Sequence, residues 1–353
     1  MRILIDITHP AHAHFFKNVI SRFSARGHEV VIASRRKDIT TQLLDAFGIK
    51  HRILSTAPEE KVLTGLAWEM VVHCWRLFLL ARKTRPDIML QVAGTFVAPV
   101  GFLLRIPTVV FYDTEMARMS NLISYRLATV VCTPECYEGS AGKNEVRYPG
   151  YQTLARLHPN RFAPDAKVLE EYGLRPDEKI FVVRFVALKA LHDYRSEGIS
   201  ETDKVRIVQE LSKYGKVLVS SEGRLPAEVE KYRSPVSYEK LHHVMAFAAL
   251  MVGSSPTMAS ECAVLGVPAI YISSETRGFT NEQENRYGLV KTFTPGKREE
   301  YLRSIIEIAN RPLQNIRSEY QAKRSRLLAE RIDTTAWIEE FIESRFEKSD
   351  RKR

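Results

Sequence analysis

The residues best placed for chemistry lie between Gly253 and Asn285, in the run GSSPTMASECAVLGVPAIYISSETRGFTNEQEN. A short apolar run, Ala248 to Val252, ends at Gly253. Ser254, Ser255, Pro256 and Thr257 follow, and a helical pattern then extends to Leu265. Ser255 suits a helix N-cap, and Pro256 suits the first helical position, where its missing N–H would have no partner anyway. A strand that turns through small residues into a capped helix presents N–H groups and the positive end of the helix dipole, a ready seat for phosphate. Glu261 falls one turn beyond that seat, where a carboxylate can take the hydroxyls of a ribose. Ser254, Ser255, Thr257 and Glu261 are therefore expected to bind a nucleotide. The same residues also fit an ordinary strand–turn–helix unit that binds nothing.

A second cluster follows the first apolar run: His9, His12 and His14 stand within six residues, where a parallel sheet would open. Histidine suits proton transfer near neutral pH. The structural alternative has His14 starting a helix and packing, with His9 as a surface turn residue. The H-x₂-H-x-H spacing also fits a metal, but no convergent carboxylate set accompanies it, and no metal is expected. Asp113, at the end of another expected strand, is a rival base that could instead orient a loop.

Composition sets the frame. The 353 residues are comfortable for two domains, and 44% hydrophobic with 27% charged residues indicates a soluble globular chain. The net charge of +10 favours an anionic partner such as a nucleotide, a phosphorylated sugar or an anionic membrane surface. No aromatic–basic motif points to nucleic acid, which is not expected as a partner. Cys132 and Cys136 form a C-x₃-C with no second pair, so these two, Cys74 and Cys262 read as reduced thiols of a cytoplasmic protein. The opening MRILIDI reads as a strand and not as a secretory signal.

Short apolar runs alternate with helical patterns through both halves. Strands are expected at Ile3–Ile7, Glu29–Ala33, His51–Leu54, Asp87–Val92, Thr108–Tyr112 and Thr129–Cys132, with helices between them. Gly27 and Gly48 close the first two helices. Tyr148 to Lys179, punctuated by Pro149, Pro159, Pro164 and Pro176, reads as an inter-domain linker. A second alternation follows, with strands at Lys179–Arg184, Lys216–Ser220, Leu250–Val252 and Pro268–Ile272, and a charged helical remainder from Leu313. The pattern means two α/β domains with parallel sheets, whose ligands sit at the carboxyl ends of the strands.

Four motifs carry a resemblance: Ile5–Lys17 (IDITHPAHAHFFK), Tyr148–Phe162 (YPGYQTLARLHPNRF), Val182–Asp193 (VVRFVALKALHD) and Ser254–Ile270 (SSPTMASECAVLGVPAI). In their order and spacing the chain resembles an uncharacterised family of predicted glycosyltransferases with the GT-B fold. That family is related to the MurG-like N-acetylglucosaminyltransferases and to UDP-GlcNAc 2-epimerases. The resemblance implies two Rossmann-like domains facing each other across a cleft: residues 1–157 for the acceptor and 158–333 for the nucleotide-sugar. Residues 334–353 form a last helix and a basic tail, the helix able to pack back on the first domain. It implies a metal-independent transferase without a cofactor, whose substrate is a nucleotide-sugar, expected to be a UDP-sugar. Its acceptor belongs to surface polysaccharide or glycolipid pathways, carried on lipid in MurG-like enzymes.

By the same resemblance Asn281, Glu282 and Gln283 sit on a loop that faces the donor sugar. The general base comes from the first domain, where His12 keeps the family's distance from Gly27. His9, His14, Gly94 and Thr95 lie on the acceptor side. Two departures stand out. The first loop lacks the glycines of MurG-like enzymes, and the loop after Val183 offers Arg184 and Lys189 instead of glycine, so charge replaces backbone N–H groups for phosphate. The glycine pair of the epimerases is also absent, replaced by Ser254-Ser255-Pro256-Thr257. An epimerase and a non-catalytic sugar-nucleotide or anionic-polymer binding protein stay as alternatives. His192 and Asp193 read as loop-positioning residues, and His242 and His243 as a solvated helix edge.

Val62 to Ala81 is nearly apolar and long enough to span a bilayer, but Glu69, His73 and Arg76 argue against insertion. Such a helix either packs wholly on the sheet or offers Trp68, Trp75 and Phe78 to a membrane or a lipid-linked acceptor. The expected location is cytoplasmic, with the inner membrane face as the place of contact.

Overall fold

A computed structural model describes residues 1–58, 63–115, 118–186, 198–221 and 223–347. Lys61, Val62, Lys189, His192, Asp193 and most of the basic tail lie outside the described residues. The chain divides into two compact units: Met1–Arg156 together with the chain from Ile332 onward, and Leu157–Arg331. Both are α/β units built on a parallel sheet, the two Rossmann-like domains of a GT-B fold.

In the first unit β1 (Arg2–Ile7), α1 (Pro10–Ala25), β2 (Glu29–Arg36), α2 (Thr40–Ala46), β3 (Arg52–Thr56), α3 (Leu63–Thr84), β4 (Ile88–Val92), α4 (Val97–Leu104), β5 (Thr108–Phe111), α5 (Arg118–Leu127), β6 (Val130–Pro134) and β7 (Glu145–Tyr148) follow in order. The strands run parallel in the order β3-β2-β1-β4-β5-β6-β7. The order reverses direction between β1 and β4, and the crevice outside such a switch point is where α/β sheets bind ligands. Helix α1 starts on Pro10 with His9 as N-cap and ends before Gly27, whose φ of +82° closes it. Its Phe15, Phe16, Val19 and Phe23 pack under the sheet.

The second unit begins with the last residue of α6 (Leu154–Leu157). It continues through α7 (Lys167–Glu170), β8 (Ile180–Phe185), α8 (Glu201–Ser212), β9 (Lys216–Ser221), α9 (Ala227–Glu230), α10 (Leu241–Ala246), β10 (Leu250–Gly253), α11 (Pro256–Leu265), β11 (Ala269–Ile272), α12 (Gly278–Asn285), β12 (Val290–Phe293), α13 (Arg298–Asn310) and α14 (Leu313–Glu330). Its parallel sheet has the order β12-β11-β10-β8-β9, which reverses between β8 and β10. Helix α15 (Thr334–Phe346) belongs to the first unit. Its Ile338 and Ile342 join the core beneath α1, and Glu339 takes Arg22 at 2.8 Å and Arg26 at 3.1 Å.

Three expectations change. The stretch after Tyr148 holds the passage between the units, at Arg156–Leu157, but it begins as packed structure: Tyr148, Tyr151 and Leu154 are buried, and Tyr148 stacks on Trp337 at 4.8 Å. Strands β7 and β12 extend the sheets beyond the sequence reading, because each is four residues long and too polar on one face to read as an apolar run. Helix α3 takes neither of its two readings whole. Leu77, Leu80 and Ala81 are buried on the sheet, while Trp68 is 69% and Trp75 60% exposed. Phe78 is half-buried and stacks on Trp75 at 5.8 Å. Among the described residues no helix is long and apolar enough to cross a membrane.

Polar residues of α3 lock the first unit. Arg35 of β2 grips the Glu69 carboxylate with two donors, one at 2.6 Å. Ser55 of β3 donates to Glu69 at 2.8 Å and lies 2.8 Å from His73 Nδ1. His73 Nε2 meets both oxygens of Asp6, at 3.1 and 3.2 Å, and Gln91 donates to Asp6 at 2.8 Å. The Gln91 carbonyl then accepts the Phe96 and Val97 N–H groups that open α4, at 3.2 and 3.0 Å. Asp6 and Gln91 are register partners across the switch point. Removing one member strands its neighbours in a buried site. We expect Asp6→Ala to destabilise the chain by about 3–5 kcal/mol, read as a lower urea midpoint; a loss under about 1 kcal/mol would show that the network carries little.

Candidate functional site

The second-unit switch point is built by two strand ends. β8 ends beside β10 with Gly253 opposite Arg184. The backbones approach so closely that a Cβ on Gly253 would sit 2.0 Å from the Arg184 carbonyl oxygen. Only glycine fits there. The chain then turns. The Ser254 N–H donates to the Arg184 carbonyl at 3.0 Å, and the Ser254 hydroxyl accepts the Val186 N–H at 3.0 Å. Ser255 caps α11 by accepting the Met258 N–H at 3.3 Å, Pro256 occupies the first turn, and no acidic residue there competes for the dipole. Gly266, at φ +76°, ends the helix. Thr257 is exposed at the helix start, and the Arg184 guanidinium donates to Ser220 at 2.6 Å. Arg184, Ser254, Ser255 and Thr257 are thus gathered at one switch point. The arrangement offers a helix N-terminus, two hydroxyls and a cation, which is chemistry for a phosphate.

Glu261 lies one turn further, nearly buried, with Oε1 3.1 Å from His242 Nε2. This corrects the reading of His242 as a solvated edge. His242 is buried on α10, and its spacing of three from buried Met245 was the signal that it shares the inner face. Asn281 and Gln283 lie on α12 and not on a loop. Asn281 is half-buried in the first turn of that helix. Gln283 is fully buried and donates to the Ser260 hydroxyl at 2.8 Å, tying α12 to α11. A side chain with no exposed surface cannot face a sugar, so Gln283 leaves the contact set.

The first-unit switch point collects Thr8, His9 and His12 after β1, and Ala93, Gly94 and Thr95 after β4. His9 caps α1, its Nδ1 accepting the Ala11 N–H at 3.2 Å. His12 Nδ1 lies 3.2 Å from the Thr8 hydroxyl, and the two imidazoles are 5.7 Å apart. His14 packs edge-on against Phe47 at 5.4 Å, the structural alternative for that residue. Ala93 and Gly94 both take left-handed backbone, at φ +68° and +67°. A Cβ on Gly94 would meet Val110 at 2.5 Å. Left-handed backbone at a non-glycine such as Ala93 costs energy that the surroundings must hold, and such strain clusters at functional sites. Here the Ser124 hydroxyl holds it, donating to the Ala93 carbonyl at 2.6 Å. Asp113 follows β5, two strands from β1, and accepts the Thr114 hydroxyl at 3.1 Å.

Electrostatics set the two histidines apart from ordinary imidazoles. Burial pushes His9 down to about 4; Lys37 and Arg35 add to this and Asp38 opposes it. Burial, His9, Lys37 and Arg35 push His12 well below its usual value. Both stand neutral at pH 7 in a positive field. Such a field favours an anion, and an anion bound there would raise their basicity.

The chain belongs to the family described as protein of unknown function DUF354, whose model matches residues 1–284. It is similar to the uncharacterised protein MJ0665 of Methanocaldococcus jannaschii, with 20% identity over 76% of this chain and 80% of that one. Among solved structures it is similar to a Listeria monocytogenes protein assigned as a UDP-N-acetylglucosamine 2-epimerase, with TM-score 0.71, 14% identity, and 100% of this chain and 98% of that chain covered. The M. jannaschii UDP-GlcNAc 2-epimerase in complex with UDP-GlcNAc and UDP gives TM-score 0.64 and 12% identity, covering 93% and 99%. The spinosyn rhamnosyltransferase SpnG, complexed with spinosyn aglycone, gives TM-score 0.61 and 14% identity, covering 97% and 100%. These likenesses establish the GT-B-like fold.

The depressed histidines tie stability to pH. The unfolded chain binds protons near the ordinary value of 6.5, whereas folded His9 does so only near 4. Between those values the unfolded state holds more protons, so the contribution is complete above about 6.5 and is lost as pH falls toward about 4. We expect the urea midpoint to drop from pH 7 to pH 4.5, and the drop to shrink in the double variant His9→Asn with His12→Gln. An identical pH dependence in that variant would contradict the lowered proton affinity of the pair in the folded chain.

Proposed function

We propose that this member of the DUF354 family is a glycosyltransferase that moves a sugar from a nucleotide-diphosphate donor, of the UDP-sugar class, to a glycan or lipid-linked acceptor without a metal. The observation that carries the reading is the second-unit switch point: a glycine-enforced strand approach, a capped helix start and a carboxylate one turn inside. UDP-binding proteins with the same fold support it. The diphosphate sits at the start of α11 near Ser255, Thr257 and Arg184, and Glu261 takes the ribose hydroxyls. Asn281, at the start of α12, is the remaining candidate for the donor sugar. In the reaction the acceptor hydroxyl loses its proton to His12, its oxygen bonds to the anomeric carbon, and the bond from that carbon to the β-phosphate oxygen breaks. UDP departs with the electron pair, stabilised by the helix dipole and Arg184. His12 is a weak base until an anion joins Lys37 and Arg35. Asp113 is the rival base, and His9, Gly94 and Thr95 shape the acceptor side.

A nucleotide-sugar 2-epimerase is the second reading, favoured by the fold likeness to two such proteins. Interconversion of UDP-sugars with no acceptor present would select it, and release of UDP that requires an acceptor selects the transferase. UDP binding with neither activity would leave a binding protein.

The acceptor reading extends to a membrane surface. Trp68, Val71, Trp75 and Leu79 of α3 are exposed, and so are Phe102 and Leu103 of α4, the helix packed beside it. Arg76, Arg82, Lys83 and Arg105 are exposed on the same two helices or at their ends. Aromatic and apolar groups bordered by cations suit an anionic bilayer.

Three measurements check these assignments. Glu261→Gln should weaken UDP binding by about 1.5–3 kcal/mol, the worth of a charge-assisted hydrogen bond. His12→Ala should keep UDP affinity and cut turnover by roughly 10²–10⁴; if Asp113→Ala shows that pattern instead, the aspartate is the base. For the membrane, the full chain should sediment with anionic vesicles at low salt and lose that binding when Trp68 and Trp75 are both changed to serine. Equal recovery of parent and variant would remove the surface from the proposal.

A further inference from the structure

His242 has no part in the chemistry above, yet its surroundings are built. Its Nε2 lies 3.1 Å from Glu261 Oε1, and both side chains are only 9% exposed. Helices α10 and α11 pack directly on each other. The ring of Phe162 meets the His242 ring edge-on, with centroids 6.3 Å apart at 78°. The neighbouring His243 points elsewhere. Its Nδ1 accepts the Asp165 N–H at 3.1 Å, and its ring lies 4.8 Å from Phe162. Of two adjacent histidines, one therefore fastens the chain near Asp165 and the other turns inward to the carboxylate.

A glutamate has three side-chain torsions. One that must meet a ligand loses that freedom on binding unless it is already held, at a cost of about 0.5–1.5 kcal/mol per side chain. A carboxylate this far from water also needs hydrogen bonds to stay there. His242 supplies both hold and partner. It comes from a different helix, so its grip fixes where the carboxylate points and not merely that it is paired.

We propose that His242 is a positioning residue for the donor site: it donates from Nε2 to Glu261 Oε1 and holds that carboxylate ready for the ribose hydroxyls of a nucleoside diphosphate. The inference rests on the assignment of Glu261 to the ribose. His242 touches no ligand and acts only through Glu261.

The test compares UDP with 2′,3′-dideoxy-UDP, which lacks both ribose hydroxyls, by calorimetric titration of the full chain. Two substitutions separate reach from bulk. In His242→Gln the amide nitrogen falls near the position of Nε2, and in His242→Asn it falls near that of Nδ1, short of Glu261. Wild-type chain should bind UDP more tightly than the dideoxy analogue. His242→Asn should weaken UDP about two- to tenfold, the ordering cost expressed as affinity, and leave the analogue unchanged. His242→Gln should restore most of the loss. A merely structural histidine would weaken both ligands alike. Equal weakening of both ligands, or no change in either, overturns the proposal while Glu261→Gln still abolishes the preference for UDP. If Glu261→Gln leaves that preference intact, the ribose assignment itself is wrong and the role of His242 falls with it.

Discussion

The first unit depends on a buried run of hydrogen bonds from Arg35 through Glu69, Ser55, His73 and Asp6 to Gln91. It crosses β2, β3, α3, β1 and β4, and ends on the first N–H groups of α4. Apolar packing tolerates small slips between a helix and a sheet. A buried chain of charged and polar partners does not, because every slip leaves a group unsatisfied. The network thus fixes the register of α3 on the sheet and the geometry of the switch point where β1 and β4 diverge. The left-handed turn at Ala93 and Gly94, and the histidines after β1, are placed by that rigidity.

In the second unit the constraint is steric. Gly253 lets β10 close on Arg184 of β8, which puts Ser254 within reach of two backbone groups and aims α11 out of the switch point. Glu261 then follows from helical pitch alone, one turn on. The two units reach the same arrangement, a strand end opening onto a capped helix, by different means: polar locking in one and backbone proximity in the other.

Helix α3 shows how one element serves two surfaces. Its inner face carries the most polar part of the core, and its outer face carries tryptophans and leucine beside arginines. The usual amphipathic order is inverted in part. The ionic groups stay inside because partners on three strands satisfy them, which frees the apolar groups to face outward.

The amino-acid string alone was enough for the fold class, the alternation of strands and helices, and the capped start of α11. These are local matters of periodicity, N-cap chemistry and the placement of Pro256, and each is written within a few neighbouring residues. It also made His9 and His12 conspicuous, by crowding and not by environment. Folding had to settle whatever depends on residues far apart in the chain. Glu69 and His73 read as interruptions of an apolar helix until β1, β2 and β3 brought Asp6, Arg35 and Ser55 to them. His242 read as exposed until α10 met Glu261. Gln283 was assigned to a loop, and folding placed it on a helix with its amide nitrogen donating to Ser260. Burial and pairing are properties of the assembled sheet, and a one-dimensional pattern records a polar residue's position but not the partner that justifies it.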